Sequence, residues 1–376
     1  MACGDCIAHQ IGSAALLDDL ATRGGPDSDF PLAGSLELTL DCNLWCRHCY
    51  IRYPGATQHE RNTEELKGLL DQLAERGVLC LLLTGGEILA RPDFRELYLH
   101  AKHCGFLLTL FTNATLVDEE TADFFVKYPP RRFEITIYGH TADTYERVTG
   151  VPGSFAAFRR GVDLLLERKL PVYLKMMVLK TNLHELDEVK AWVTSQGLPF
   201  RHDGVVNPRL DGHRGPLRER LAPEDVVRIQ GTSEANREEF IHLRAKAEQA
   251  LARGTDDRLF RCGAGIRTFH IDPRGQMHPC MMWRTTPLAA RDGLQPGAWS
   301  EHVRQLRART RPEDTGCRTC PNSLACGNCA ATSELETGVA GARVDYYCRI
   351  SKAREQLFEL REPARFRPLT AVGGRT

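Results

Sequence analysis

Short apolar runs alternate with amphipathic segments between about residues 35 and 210 of the chain. The apolar runs are SLELTL, VLCLLLTGG, FLLTLFTN, RRFEITIYG and PVYLKMMVLK. The segments between them, such as TEELKGLLDQLAERG and SFAAFRRGVDLLLERK, have the periodicity of helices with one buried face. This alternation predicts consecutive βαβ units and therefore a parallel sheet, open or curled into part of a barrel. In such folds ligands bind at the carboxyl ends of the strands.

The rest of the chain changes character twice. Residues 211–261 combine a Gly- and Pro-broken loop with a charged helical pattern, and residues 262–350 hold seven cysteines with little sustained helix. The run RISKAREQLFELREPARF predicts a terminal amphipathic helix. We therefore expect five parts: an N-terminal extension (1–34), an α/β core (35–210), a helical linker (211–261), a cysteine-rich domain (262–350) and a C-terminal helix and tail (351–376).

Charge and composition exclude several classes of function. The 376 residues include 49 Lys and Arg and 49 Asp and Glu, so no net charge favours nucleic acid or an anionic membrane. No apolar run approaches the ~20 residues of a membrane helix, and the N-terminus lacks the basic region of a secretory signal. We expect a cytoplasmic protein. In that reducing compartment, 14 clustered cysteines favour metal or cluster binding over disulfides.

Three of these cysteines, Cys42, Cys46 and Cys49, follow the first apolar run within eight positions. Their spacing lets one tight loop present three thiolates, and soft thiolates suit iron–sulfur clusters, which four cysteines ordinarily hold. With three supplied locally, one iron stays open for a substrate or cofactor. A zinc site with a remote fourth ligand, or a chance grouping, remains the alternative.

The pattern C-x3-C-x-Φ-C after a first strand resembles the signature of the radical S-adenosylmethionine (SAM) superfamily. The resemblance implies a partial (β/α)6 TIM-like barrel and a [4Fe–4S] cluster whose open iron is chelated by the amino and carboxylate groups of SAM. It also implies the reaction of this superfamily. Electron transfer cleaves SAM to methionine and a 5′-deoxyadenosyl radical, which abstracts a hydrogen atom from the substrate.

Further motifs follow later strands and resemble the SAM-binding positions of this superfamily. TGGE resembles the stretch that receives the SAM amino group, with Ile88 in place of the usual Pro. EITIYG resembles a strand that often reads S-x-D-G, with Tyr138 in place of the Asp. YERVTGVPGSF holds an arginine whose fork suits the SAM carboxylate. The implied cofactor contacts are Gly85, Gly86, Glu87, Asn113, Thr136 and Arg147.

The second group of cysteines resembles the SPASM extension of peptide-modifying radical SAM enzymes, which holds two auxiliary [4Fe–4S] clusters. The resemblance assigns one complete cluster to Cys317, Cys320, Cys326 and Cys348. It assigns three ligands of the other to Cys262, Cys280 and Cys329. A distant cysteine, His270, His278, water or substrate would complete that second cluster. Taken alone, the run from Cys317 to Cys329 fits a zinc site equally well.

The other cysteines carry weaker signals. Cys80 and Cys104 are predicted to be buried small apolar residues. Cys3 and Cys6 form a C-x2-C pair that is either incidental, a metal site or the source of a missing ligand. Met281, Met282 and Trp283 are predicted to pack rather than contact substrate.

The resemblance implies a peptide maturase that forms a thioether or carbon–carbon crosslink in a ribosomally made precursor. Alternatives are an epimerase, an anaerobic sulfatase-maturase-like enzyme, or a non-enzymatic iron–sulfur or zinc protein for electron transfer or binding. Sulfatase maturases carry an Asp where Met281 stands, which argues against that branch. The implied partners are the precursor peptide, a separate small peptide-chaperone protein and a flavodoxin- or ferredoxin-type reductant.

Overall fold

A computed structural model describes residues 29–358, apart from 53–54, 56, 232–233 and 255–256. Its described strands form one sheet in the order β6-β5-β4-β3-β2-β1-β7-β8-β9. All neighbouring pairs from β6 to β7 are parallel, and the last two pairs are antiparallel. The strands are β1 (Ala33–Thr39), β2 (Cys80–Gly85), β3 (Leu107–Thr112), β4 (Arg132–Ile137), β5 (Val172–Met177), β6 (Phe200–Asp203), β7 (Thr268–Ile271), β8 (Gln276–His278) and β9 (Leu288–Ala289). The predicted parallel α/β sheet is confirmed.

Helices connect the six parallel strands of the core. They are α1 (Thr63–Glu75), α2 (Phe94–His103), α3 (Glu119–Lys127), α4 (Ala142–Thr149), α5 (Ser154–Glu167) and α6 (Leu186–Ser195). Each presents an apolar stripe to the sheet; α1, for example, buries Leu66, Leu69, Leu70 and Leu73. The β1 side chains of Leu36 and Leu38 are at most 1% exposed within this core. The alternate β1 positions hold Ser35, Glu37 and Thr39, so the other face of the strand is polar.

The remaining helices are α7 (Pro223–Gln230), α8 (Glu234–Ala252), α9 (Ala290–Gly293), α10 (Ala298–Arg307), α11 (Ala330–Thr337) and α12 (Asp345–Leu357). None of the described helices is long and apolar enough to cross a membrane. The final helix begins at Asp345, earlier than the expected boundary at 351, and it carries Cys348. The five-part division of the chain stays a prediction.

The cysteine-rich segment is built onto the core sheet. Strand β7 pairs with β1 from Ala33↔Thr268 to Leu36↔Ile271. Beyond it, Trp283 is fully buried in a smaller apolar cluster with Leu259, Phe260 and Leu306. Strand β1 therefore pairs with β2 on one edge and with the cysteine-rich segment on the other.

A buried ion pair joins the linker to α11. Arg220 Nη2 lies 2.6 Å from Glu336 Oε1, with 9% and 4% of the two side chains exposed. The same guanidinium donates to the carbonyl oxygen of Val206 and lies 4.1 Å from the Tyr346 ring centre. The pair fixes the linker against the cysteine-rich segment.

Replacing Arg220 by methionine is expected to destabilise the protein by about 3–5 kcal/mol, because the Glu336 carboxylate would stay buried without its partner. The free energy of unfolding in urea, measured anaerobically, checks this. The matched control is Arg228→Met, which removes an exposed pair with Asp225 and is expected to cost less than about 0.5 kcal/mol. Equal effects of the two substitutions would contradict the prediction.

Candidate active site and metal centres

The loop after β1 carries the first three cysteines and is fixed at several points. The backbone amides of Trp45 and Arg47 donate to the carbonyl oxygens of Thr149 and Val148 at the end of α4, at 2.8 and 3.0 Å. Within the loop, the Cys49 amide donates to the Cys46 carbonyl oxygen at 3.0 Å. A rigid loop therefore presents the three thiols at the carboxyl end of the sheet.

The thiols of Cys42, Cys46 and Cys49 lie in a desolvated site. Burial raises the pKa of Cys42 to about 11 and raises the pKa of Cys46 and of Cys49. Repulsion among the sulfurs adds to the rise at Cys42 and Cys46. Three thiolates are stable in such a place only beside positive charge, which the irons of a cluster supply. The donor set fits an iron–sulfur cluster.

The spacing of the sulfurs also bears on the zinc alternative. Across the described residues, one set of three His, Cys, Asp or Glu ligand atoms lies within 4.8 Å of one another, and it is Asp71, His100 and Cys104. No three of the described cysteines that were assigned as cluster ligands are that compact. Sulfurs bound to one tetrahedral zinc at about 2.3 Å would lie about 3.8 Å apart. Three of these sulfurs would therefore have to move closer together to bind a single zinc ion.

Gly85 and Gly86 allow the end of β2 to touch the cysteine loop. A Cβ atom on Gly86 would lie 1.9 Å from the carbonyl oxygen of Asp41, and Gly85 has a φ of +146°. Two hydrogen bonds hold this contact. The Gly86 amide donates to the Thr39 carbonyl oxygen, and the Glu87 amide donates to the Asp41 carbonyl oxygen, both at 2.8 Å. The two glycines therefore position the loop as well as lining the cavity beside it.

Glu87 was expected to accept a hydrogen bond from the SAM ammonium, and the structure gives it another place. Its side chain is fully buried and accepts from the Asn113 amide at 2.7 Å, the Thr112 hydroxyl at 2.7 Å and the Leu89 amide at 3.0 Å. Burial raises the pKa of this carboxyl. Glu87 thus braces the ends of β2 and β3 and is not among the residues that line the cavity.

Asn113 connects the third strand to the cysteine loop. Its Nδ2 donates to Asn43 Oδ1 at 2.9 Å and lies 3.9 Å from the Cys42 sulfur. It also lines the cavity, as does Thr136. Both residues therefore lie where the sequence motifs predict SAM contacts.

The cavity beside the thiols has a volume of about 440 Å³. Cys42, Cys46 and Cys49 form one wall, and the inward side chains of β4 to β6 form another. Tyr138, which replaces the expected Asp, lines it and donates its hydroxyl to the Cys46 sulfur. This contact could not be inferred from the motif, because the usual residue there is a carboxylate.

Arg147 is not among the residues that line this cavity. It lies on α4 with 51% of its side chain exposed, 3.2 Å from Asp143 Oδ2 and 3.3 Å from the Thr144 hydroxyl. Its role as partner of the SAM carboxylate stays a prediction that this geometry does not favour.

The downstream cysteines separate into the two groups that the resemblance implied. Burial raises the pKa of Cys280, and the Cys329 and Cys262 sulfurs raise it further. Burial likewise raises the pKa of Cys326, and the sulfurs of the three other cysteines in its group raise it further. Those members are Cys320, Cys348 and Cys317. The structure therefore brings together a set of three and a set of four.

A buried polar network links the set of three to β1. Arg284 Nη2 lies 3.0 Å from Glu37 Oε2, and Arg284 Nε donates to the Met281 carbonyl oxygen at 2.9 Å. Burial opposes ionisation of Glu37, but His270 and Arg284 outweigh it and hold the pKa of the carboxyl below its usual range. The loop after Cys280 is thereby held against the strand that leads into the cysteine loop.

The two histidines considered as a missing ligand are both engaged in this region. His270 Nδ1 is 2.8 Å from the Ser35 hydroxyl and its Nε2 is 3.3 Å from Glu37. His278 Nε2 is 3.3 Å from Asp272 Oδ2, while its Nδ1 is buried without a hydrogen-bond partner. His270 Nε2 is likewise buried without a hydrogen-bond partner, but it lies beside the Glu37 carboxylate, so His278 Nδ1 is the freer of the two ring nitrogens.

The other cysteines take varied positions. Cys80 is half-buried on β2, and Cys104, at the end of α2, donates to Asp71 Oδ1 at 3.5 Å instead of being a buried apolar residue. Trp283 packs in the core as predicted. Cys3 and Cys6 lie outside the described residues.

Charged side chains inside the barrel were not identified from the sequence. Glu134, Lys175 and Arg201 come from three consecutive strands and line the same cavity as the cysteine loop. Glu134 and Lys175 are flanked by apolar residues in their strands, and the alternation of inward and outward positions is the one signal that could have revealed them.

Fold and site together define an α/β-barrel enzyme with an iron–sulfur centre at the carboxyl end of its strands. The model of the radical SAM superfamily matches residues 36–193. This chain therefore contains a radical SAM domain, and its cofactors are SAM and [4Fe–4S] iron–sulfur centres. The non-enzymatic alternatives are set aside by this finding.

Known proteins resemble the chain well beyond that domain. An AdoMet-dependent heme synthase of Nitratidesulfovibrio vulgaris is 28% identical over 80% of this chain and 88% of its own. A PqqA peptide cyclase of Rhodopseudomonas palustris is 28% identical over 88% of this chain and 90% of its own. Streptococcus suis SuiB, solved with its precursor peptide SuiA, superposes with a TM-score of 0.59 at 16% identity, covering 82% of this chain and 74% of SuiB. The fold is that of radical SAM enzymes of the SPASM type.

Proposed function

We propose that this protein cleaves SAM reductively and modifies a ribosomally made precursor peptide, forming a crosslink such as a thioether or a carbon–carbon bond. The carrying observation is the cavity of about 440 Å³ that adjoins the three-cysteine loop and reaches into the barrel. It offers room for a cofactor and for a side chain of a larger substrate. The similarity to a peptide cyclase over 88% of the chain supports a peptide.

Different residues of the chain would have different roles in this reaction. Cys42, Cys46 and Cys49 would hold the cluster that supplies the electron for SAM cleavage, and Asn113 and Thr136 would contact SAM. SAM bound there would supply the 5′-deoxyadenosyl radical that removes one hydrogen atom from the substrate. A second hydrogen then leaves as a proton and an electron, so that the crosslinked product has lost two hydrogens. The two downstream cysteine sets would hold auxiliary clusters, and a cluster there can accept that electron.

A second candidate function rests on a separate observation. The heme synthase is as similar in sequence as the peptide cyclase, at 28% identity over 80% of the chain. A heme precursor is therefore the alternative substrate. Mass analysis distinguishes the two, because a dehydrogenative crosslink lowers the mass of a peptide by two hydrogens, whereas an enzyme that acts on a heme precursor would leave the peptide unchanged.

Partners follow from the same proposal, and we place the reaction in the cytoplasm. A separate small chaperone protein would present the peptide, and a flavodoxin- or ferredoxin-type reductant would supply electrons. Beside Cys46, the Trp45 side chain is 65% exposed and lies under the Arg52 guanidinium, 3.3 Å from the ring centre. Arg47 is 56% exposed nearby and pairs with Glu219 at 3.5 Å. The Arg52 guanidinium next to the cysteine loop suits a reductant with an acidic face.

Anaerobic reconstitution tests the cofactor assignment. Three clusters predict about twelve irons per chain, whereas zinc with one cluster predicts about four. SAM and a strong reductant should then release 5′-deoxyadenosine. Intact clusters without that product would exclude the radical reaction.

The substrate is tested separately. The enzyme is incubated with a short peptide encoded beside its gene, with and without any neighbouring small protein, and the peptide mass is measured. Loss of two hydrogens supports the proposal. An unchanged peptide together with consumption of a heme precursor would favour the second candidate.

A further inference from the structure

A cluster of charged side chains lies on the neighbouring strands β4, β5 and β6. Around the Glu134 carboxylate, Arg132 Nη2 lies at 2.7 Å, Arg201 Nη2 at 2.8 Å and Lys175 Nζ at 3.6 Å. The Glu134 side chain is 6% exposed and that of Lys175 is 17% exposed. We call these four residues the lumen cluster. Three cations thus surround one buried carboxylate.

The lumen cluster faces the reaction cavity. Glu134, Lys175 and Arg201 line the same cavity as the three cysteines of the loop. The strand register explains the arrangement, because Lys175 pairs with Thr136 on one side and with Arg201 on the other. Thr136 is itself a predicted SAM contact. A molecule that reaches past SAM into the barrel therefore meets Lys175 and Arg201.

The positive charge of the cluster exceeds what its own carboxylate balances. The other acidic group lining the cavity is Asp203, which is exposed and accepts a hydrogen bond from the Val205 amide. Burial lowers the pKa of Lys175 to about 7; Glu134 opposes this effect and Arg201 adds to it. Lys175, with 17% of its side chain exposed, shares the Glu134 carboxylate with two more exposed arginines, so a bound anion would stabilise its charged form.

We propose that Lys175 and Arg201 bind a carboxylate of the substrate, either an acidic side chain or a chain terminus, within the barrel. Glu134 and Arg132 position the two binding groups. The inference rests on the proposed function in one respect, namely that a substrate enters this cavity. An ammonium and a guanidinium provide charge-assisted donors for both oxygens of such a group. The SAM carboxylate has the same chemistry, so the test must distinguish the two sources.

Protection of Lys175 from acetylation provides the test. The reconstituted full-length enzyme is pulsed with acetic anhydride at pH 7.5, and acetylation is read by mass spectrometry. The neutral amine reacts, so a lysine with a pKa of about 7 is reactive at this pH. A bound carboxylate covers the amine and favours its protonated form. N-acetyl-L-glutamate is therefore expected to slow acetylation of Lys175 at least fivefold, whereas N-acetyl-L-glutamine leaves it unchanged.

Three controls make the outcome decisive. Lys190, exposed on α6, should react equally in every sample. Equal protection by the two probes, or protection by neither, overturns the inference. Full protection by SAM alone also overturns it, because the carboxylate would then be that of the cofactor.

Variants of Arg201, the second proposed binding group, test the same site independently. Arg201→Gln should reduce the protection by N-acetyl-L-glutamate to less than twofold, and Arg201→Lys should restore part of it. The matched control is Arg228→Gln, an exposed arginine on α7 that should leave protection unchanged. Unaltered protection in Arg201→Gln overturns the inference. The acetylation experiment needs no turnover, so it can succeed even if peptide modification fails. A failure of this inference is therefore distinguishable from a failure of the proposed function.

Discussion

Replacing Cys46 by alanine is expected to abolish release of 5′-deoxyadenosine from SAM and to remove about four irons per chain. Cys46 is one of the three thiols that line the cavity, and it also accepts the hydrogen bond from Tyr138. Two remaining cysteines cannot hold a cluster with one open iron. Iron analysis and chromatography of the nucleoside product measure both losses.

Two further cysteine variants serve as comparisons for Cys46→Ala. Cys104 directly follows α2 and pairs with Asp71, so Cys104→Ala should retain its full iron content and the release of 5′-deoxyadenosine. Cys320→Ala should also lose about four irons, but without abolishing 5′-deoxyadenosine, because its group lies apart from the cavity. Product formation by Cys46→Ala at the level of Cys104→Ala would refute the assignment of the loop.

Replacing Gly86 by alanine is expected to displace the cysteine loop and to eliminate its cluster. The added Cβ would meet the Asp41 carbonyl oxygen at 1.9 Å and its carbon at 2.6 Å, and both are backbone atoms that cannot rotate away. Asp41 directly precedes Cys42, so the clash acts on the first ligand. Iron content should fall by about four per chain, and SAM cleavage should be lost.

Gly68→Ala is the matched control for Gly86→Ala. Gly68 lies within α1, and a Cβ there would meet nothing within 4 Å. Alanine is the better helix former, so this variant should gain about 0.5–1 kcal/mol in stability with iron unchanged. A Gly86→Ala enzyme with full iron and activity would show that the close approach of the two strands is not needed.

Local patterns were the part of the structure that the sequence could predict. Strands and helices follow from apolar periodicity, whereas the partition of the downstream cysteines came from the resemblance to the SPASM extension. The placement of Gly85 and Gly86 beside the cysteine loop was foreseen, since both motifs directly follow neighbouring strands.

Contacts between distant segments were beyond such prediction. Glu87 was expected to face the cofactor, but the amide of Asn113 and the hydroxyl of Thr112, one βα unit later, bind its carboxylate. Arg147 was expected in the cavity, but the helix carrying it directs the side chain towards Asp143. The lumen cluster joins three strands through their register, which no single stretch encodes.

The pairing of β7 with β1 has a consequence for biosynthesis. Strand β1 emerges from the ribosome early, yet one of its edges is not paired until residues 268–271 follow more than 200 positions later. An open strand edge is a template for aggregation. We therefore expect the barrel and the cysteine-rich segment to fold cooperatively, and metal insertion before the whole chain is made would act on an incomplete sheet.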